Sequence, residues 1–178
     1  MLMSFILLFF LSCNKSNEKA TTRIKCTSCL NGGSCVNDTC RCPTGYAGIA
    51  CQTLARQKFI TNWQVSENST QTGRSMYSIF INPDATGSNS SVIFEEFYRN
   101  YFFNGYVHGY ISGDSIYIPT QQLQGKIVVG YGYIHSDPNL GKDGAITMRY
   151  QVTDTFSHTV DDFGYNPADG TSPSQWIK

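Results

Sequence analysis

Residues 126–134 read KIVVGYGYI. Successive residues of a strand point to opposite faces, so this run sorts itself. Val128, Gly130, Gly132 and Ile134 share one side, and Tyr131 and Tyr133 share the other. β-Branched and aromatic residues favour a pleated surface, and glycines on the apolar side suit a sheet that has to bend.

The same alternation recurs on both sides of this run. Strands are expected at Ile60–Ser66, Arg74–Ile81, Ser91–Phe97, Phe103–Ile111, Ser115–Ile118, Lys126–Ile134 and Gly144–Thr153. Asn82-Pro83-Asp84, Ser112-Gly113-Asp114 and Asp137-Pro138-Asn139 mark turns between them, and Asn104-Gly105 could be a hairpin turn inside the fourth. No stretch carries a sustained helical period. Short strands with tight connections predict an antiparallel meander over residues 59–153, either a small barrel or a sandwich. Trp63 in the first strand resembles the Gly-x-Trp of lipocalin-like barrels, with Thr61 at the glycine position, and implies a barrel. Residues 52–58 read as a connector, and the polar tail 154–178 reads as an irregular C-terminal extension.

One face of these strands is a sensible core: Val107, Ile111, Ile116, Ile118, Val128, Ile134, Ile146, Met148, Tyr150 and Val152, with Gly109, Gly130 and Gly132. The opposite face carries Tyr106, His108, Tyr110, Tyr117, Tyr131, Tyr133 and His135. Cross-strand aromatic pairing accounts for such a face. Its functional explanation is a binding platform or a lined cavity, which makes Tyr106, His108, Tyr110, Tyr117, Tyr131 and Tyr133 the candidate ligand-binding residues.

Catalytic patterns are thin. Gly113-Asp114-Ser115-Ile116 resembles the nucleophile block of GDSL-type hydrolases, but it falls between two strands of a hairpin and reads as a turn. Glu95 and Glu96 are neighbours in an expected strand, so they face opposite ways and form no acid/base pair. His108, His135 and His158 lack a metal-ligand spacing. The chain is therefore expected to be non-catalytic, with no cofactor and no metal.

Six of the seven cysteines lie between residues 26 and 51, in the pattern C-x2-C-x5-C-x4-C-x-C-x8-C. So short a segment cannot bury enough apolar surface to fold without covalent help. Cys26-x2-Cys29 with Cys40-x-Cys42 could supply four thiolates to zinc, although an exported, oxidising location argues for disulfides. Cys29-Leu-Asn-Gly-Gly-Ser-Cys35 followed by Cys40-Arg-Cys42-Pro-Thr-Gly45-Tyr46-Ala-Gly48-Ile-Ala-Cys51 resembles an EGF-like module. That resemblance implies the pairs Cys26–Cys35, Cys29–Cys40 and Cys42–Cys51. The residues before Cys26, Thr21-Thr22-Arg23-Ile24-Lys25, offer two cations and no carboxylate, so calcium is not expected.

The N-terminus reads MLMSFILLFFLSC. Its apolar run is too short to span a bilayer and fits the core of an export signal over residues 1–12. Ser12-Cys13 resembles a bacterial lipobox, which implies lipidation of Cys13 and accounts for the odd cysteine. The polar residues 13–25 read as a tether.

With 13 basic and 13 acidic residues among 178, the formal charge is zero, and no electrostatic footprint for nucleic acid is present. The combined expectation is an all-β chain, a disulfide-knotted module followed by an antiparallel β domain, exported to the cell envelope or surface. Its expected partners are the membrane, through an N-terminal lipid, and a glycan, a protein or a small apolar ligand. A binding or adhesion protein is the first reading of its function, and a lipocalin-like carrier of a small apolar ligand is the alternative.

Overall fold

The computed structural model describes Cys26, residues 28–102 and residues 105–178. The expected signal segment, the lipidation at Cys13 and the tether lie outside the described residues, as do Phe103 and Asn104.

The disulfide-rich module holds two short ladders, β1 (Ser34–Val36) with β2 (Thr39–Arg41) and β3 (Tyr46–Ala47) with β4 (Thr53–Leu54). Disulfides join Cys26 to Cys35, Cys29 to Cys40 and Cys42 to Cys51. These bridges fit an oxidising extracellular or periplasmic environment.

A 3-10 turn over Ala55–Lys58 leads into the β domain. Its strands are β5 (Thr61–Asn68), β6 (Arg74–Pro83), β7 (Ser91–Glu95), β8 (Val107–Ser112), β9 (Ser115–Leu123), β10 (Lys126–Asp137), β11 (Gly141–Asp154), β12 (Val160–Phe163) and β13 (Ser174–Ile177). Strands β5 to β11 form a continuous antiparallel meander, and β13 inserts between β11 and β5 to close an eight-stranded barrel. The seam is short but two-sided. Ile146 pairs with Trp176, and Trp176 pairs with Val65. Because β11 outruns β13, its free edge beyond Met148 takes β12 at residues 151–153.

The segment 154–178, expected to be an irregular extension, is therefore corrected: it carries two strands, one of which closes the barrel. The fourth expected strand begins only at Val107, and the second and sixth run on to Pro83 and Asp137; two further boundaries shift for local reasons. The third expected strand stops at Glu95 because Glu96 takes a left-handed φ of 60°, and the chain turns into α1 (Phe97–Asn100), where Tyr98 and Arg99 are also left-handed. Strand β9 runs past Pro119 because the β9–β10 register shifts there, between Val128 and Gly130. A bulge accommodates the missing N–H. The β9–β10 turn is Gln124-Gly125, both at positive φ (48° and 76°), the conformation that matches hairpin twist.

The barrel interior is occupied by side chains. Trp63, Ile79, Phe94, Ile111, Ile146, Met148 and Trp176 are fully buried in it. A methyl group added at Gly130 would lie 2.6 Å from Tyr150 Cβ, and one at Gly132 would lie 2.7 Å from Met148 Sδ. Both glycines make room for larger neighbours. Phe97, Tyr98 and Phe102 are buried in the same core cluster, where Phe163 stacks on Tyr150 at 4.1 Å and 9°. The junction is held by Arg56 of the 3-10 turn, whose Nη1 donates to Ser88 O and Ser91 O (3.1 and 2.9 Å), and the module itself docks through Tyr46, whose Oη accepts from Asn89 Nδ2 (2.7 Å).

Candidate functional site

With Val107, Gly109 and Ile111 turned inward along β8, the intervening His108 and Tyr110 face solvent, and the same logic runs along β9 and β10. Tyr110, Tyr131 and Tyr133 are 41%, 44% and 50% exposed. The candidate rings are on the outer wall and do not line the interior.

Register brings some of them together. Tyr110 pairs with Tyr117 across β8–β9, and Tyr117 pairs with Tyr131 across β9–β10. Tyr110 and Tyr117 stack with centroids 5.0 Å apart and planes 15° apart. Tyr165, beyond β12, meets Tyr131 edge-on at 5.8 Å. Tyr133 sits two residues from Tyr131 and tilts against His135 at 5.4 Å.

Polar groups border these rings. His135 Nε2 lies 3.1 Å from Thr147 Oγ1, which donates to Gln175 Oε1 at 3.1 Å. His108 is less a part of the row than of a separate clasp, with Nδ1 3.0 Å from Asp84 Oδ2 and its backbone N–H donating to Gln121 Oε1. Hydrogen bonds from the Thr86 side chain and backbone, followed by His108, bring the Asp84 carboxyl down to about 2. Tyr106, exposed just before β8, has no ring partner among the described residues.

Two members of the face were missed in the sequence. Arg149 stands directly opposite Tyr131 on β11, with Nη1 donating to Gly164 O at 2.7 Å. The inward Met148 signals its outward direction, but nothing local predicts its neighbour. Tyr165 lies in the segment 154–178, whose polar composition carries no strand signal.

A second polar cluster is interior. Glu67, 4% exposed, accepts from Tyr150 Oη (2.7 Å), Ser174 Oγ (2.9 Å) and Ser75 Oγ (3.2 Å). Burial raises its carboxyl above the ordinary value, against the opposing pull of the Tyr150 and Ser174 hydrogen bonds. The buried Tyr77 hydroxyl approaches this cluster without reaching hydrogen-bonding geometry. Burial, followed by the Glu67 charge, pushes the Tyr77 phenol well up. Each donor to Glu67 comes from a different strand, which makes the cluster a tie across the seam.

No protein-family model and no curated protein matches the chain.

Asp114 in the β8–β9 turn pairs with Lys58. The sulfurs of Cys26, Cys29 and Cys40 lie within 4.8 Å of one another, and all three are bonded in disulfides. The outer tyrosine face offers flat apolar rings edged by amide, hydroxyl and guanidinium groups. Such a surface stacks against planar or ring-shaped ligands while its hydroxyls stay hydrated.

Proposed function

We propose that the chain is a non-catalytic binding protein of the cell envelope or surface, which presents the outer tyrosine face of its barrel to a glycan. In this reading Cys13 carries the lipid anchor, the module at 26–51 is an EGF-like spacer, and the barrel is the binding unit. The observation that carries the proposal is the row Tyr110, Tyr117 and Tyr131, paired in register on an open wall. Occupation of the interior by Trp63, Phe94, Met148 and Trp176 favours this surface over a lipocalin-like interior site. Zero formal charge favours recognition by shape and stacking over bulk electrostatics.

A glycan array of cell-wall and host polysaccharides, probed with the full chain and with Tyr110→Ala and Tyr133→Ala, tests the proposal. Retention of a glycan by the parent and its loss in the variants is the expected result. An array on which the parent retains no glycan contradicts it.

A further inference from the structure

The row of rings does not end in another ring. Tyr110, Tyr117, Tyr131 and Arg149 are successive cross-strand partners on β8, β9, β10 and β11, so three tyrosines and a guanidinium share one line across the outer wall. Neighbouring strands lie roughly 4.8 Å apart, so the line is about 14 Å long, the reach of about three pyranose rings.

Arg149 is held and uncompensated. Its Nη1 donates to Gly164 O at 2.7 Å, which fixes the guanidinium at the end of the row. Among the described residues the ion pairs are Lys58 with Asp114, His108 with Asp84 and Lys126 with Asp154, and none involves Arg149. The neighbouring strand supplies two acids, both buried and turned to other work: Asp161, which accepts from the Gln71 backbone N–H and Thr72 Oγ1, and Asp162. The Asp162 carboxylate accepts from the backbone N–H groups of Tyr165 and Asn166 and from Thr171 Oγ1. Tyr165 packs edge-on against Tyr131 and walls this end of the line.

We propose that the ligand of this face is an acidic glycan, with a uronic-acid carboxylate on Arg149 and successive sugar rings laid along the row Tyr131, Tyr117 and Tyr110. A planar guanidinium matches a carboxylate in a forked geometry that an ammonium cannot offer, and the ring edges and hydroxyls of the tyrosine row give pyranoses apolar contact and hydrogen bonds. The inference rests on the glycan reading above and adds the sign and position of the ligand's charge.

Calorimetric titration of the full chain with α-1,4-linked trigalacturonate and with its fully methyl-esterified form tests it. The acid is expected to bind about tenfold or more tightly than the ester, the difference that charged hydrogen bonds ordinarily make, and to weaken as salt is raised. Arg149→Gln should bring the acid down towards the ester's affinity and cost the acid far more than the ester. Arg149→Lys, which keeps the charge without the fork, should fall between. Tyr117→Ala should weaken both ligands. Equal binding of acid and ester by the parent overturns the acidic-glycan inference while the glycan reading stands. Failure of both ligands to bind overturns this inference, and the array decides the broader reading separately. Acid binding that survives Tyr117→Ala but not Arg149→Gln contradicts the placement of the sugars along the tyrosine row.

Discussion

Tyr110 and Tyr117 stack 5.0 Å apart with 15° between their planes, as a cross-strand pair on the outside of the barrel. Parallel planes at this spacing set the rings face to face, so the pair presents a fixed apolar ridge of ring edges and hydroxyls before any ligand arrives, and little side-chain entropy remains to be lost on binding.

Because the pair lies on the wall and not in the core, its loss should be mild for stability. Tyr110→Ala should cost about 0.5–1.5 kcal/mol, the scale of an aromatic pair. Phe94→Ala, inside the barrel, should cost about 3–5 kcal/mol. Chemical denaturation of both variants checks this, and similar large losses would mean that the outer rings are structural.

The Glu67 cluster gives a pH dependence with a definite sign. Burial raises the folded-state value above the ordinary 4.5, so the folded protein keeps this proton to a higher pH than the unfolded chain does. The contribution of Glu67 is complete below the unfolded value and is lost as pH rises through the folded one. Glu67→Gln should remove that decline, so the variant gains on the parent as pH is raised from 4 to 8 in thermal melts. A constant difference across the range would contradict the assignment.

Tyr77 offers a simpler gain. Its hydroxyl is buried and lacks a hydrogen-bond partner among the described residues, and an unsatisfied buried hydroxyl costs about 1–3 kcal/mol. Tyr77→Phe should therefore raise the denaturant midpoint at unchanged slope. A lowered midpoint would reveal a bond formed in solution.

Much of this architecture is legible in the chain itself. Alternation in KIVVGYGYI and in the runs around it places the inward residues, and Val128, Ile134, Ile146, Met148 and Val152 are all buried. The eighth strand escapes such a reading because Ser174–Ile177 spans four residues after a proline, and its partners on β5 and β11 are remote in sequence. Alternation also fixes which tyrosines share a face without fixing which ones touch. Tyr117 is paired with Tyr110 and with Tyr131 through two registers, one of them interrupted by the bulge at Pro119. Glu67 follows the inward pattern of β5, but its donors Tyr150 and Ser174 arrive from strands joined to it only when the barrel closes.

The anchor has its own test. Ser12-Cys13 after an apolar run predicts that Cys13 accepts lipid. Metabolic labelling with an alkyne fatty acid should mark the parent and not Cys13→Ser, whereas equal labelling of the two would remove the anchor from the account.

The module should unfold separately from the barrel. Each bridge closes a short loop, and such loops contribute about 2–3 kcal/mol apiece, whereas the barrel core contains no disulfide. Mild reduction should abolish the module's protection from hydrogen exchange and leave protection at Ile146 and Met148 intact. Loss of both together would show that the docking contacts of Arg56 and Asn89 make them one cooperative unit.

The central claim is that the outer tyrosine face, and not the barrel interior, is the binding surface. Backbone and aromatic NMR shifts of the labelled chain, followed during titration with the oligosaccharide best retained on the array, test it most directly. The account predicts shifts confined to Tyr110, Tyr117, Tyr131, Tyr133 and their strand neighbours, with Trp63, Met148 and Trp176 unmoved. Shifts centred on those interior residues, with the outer rings silent, would contradict it.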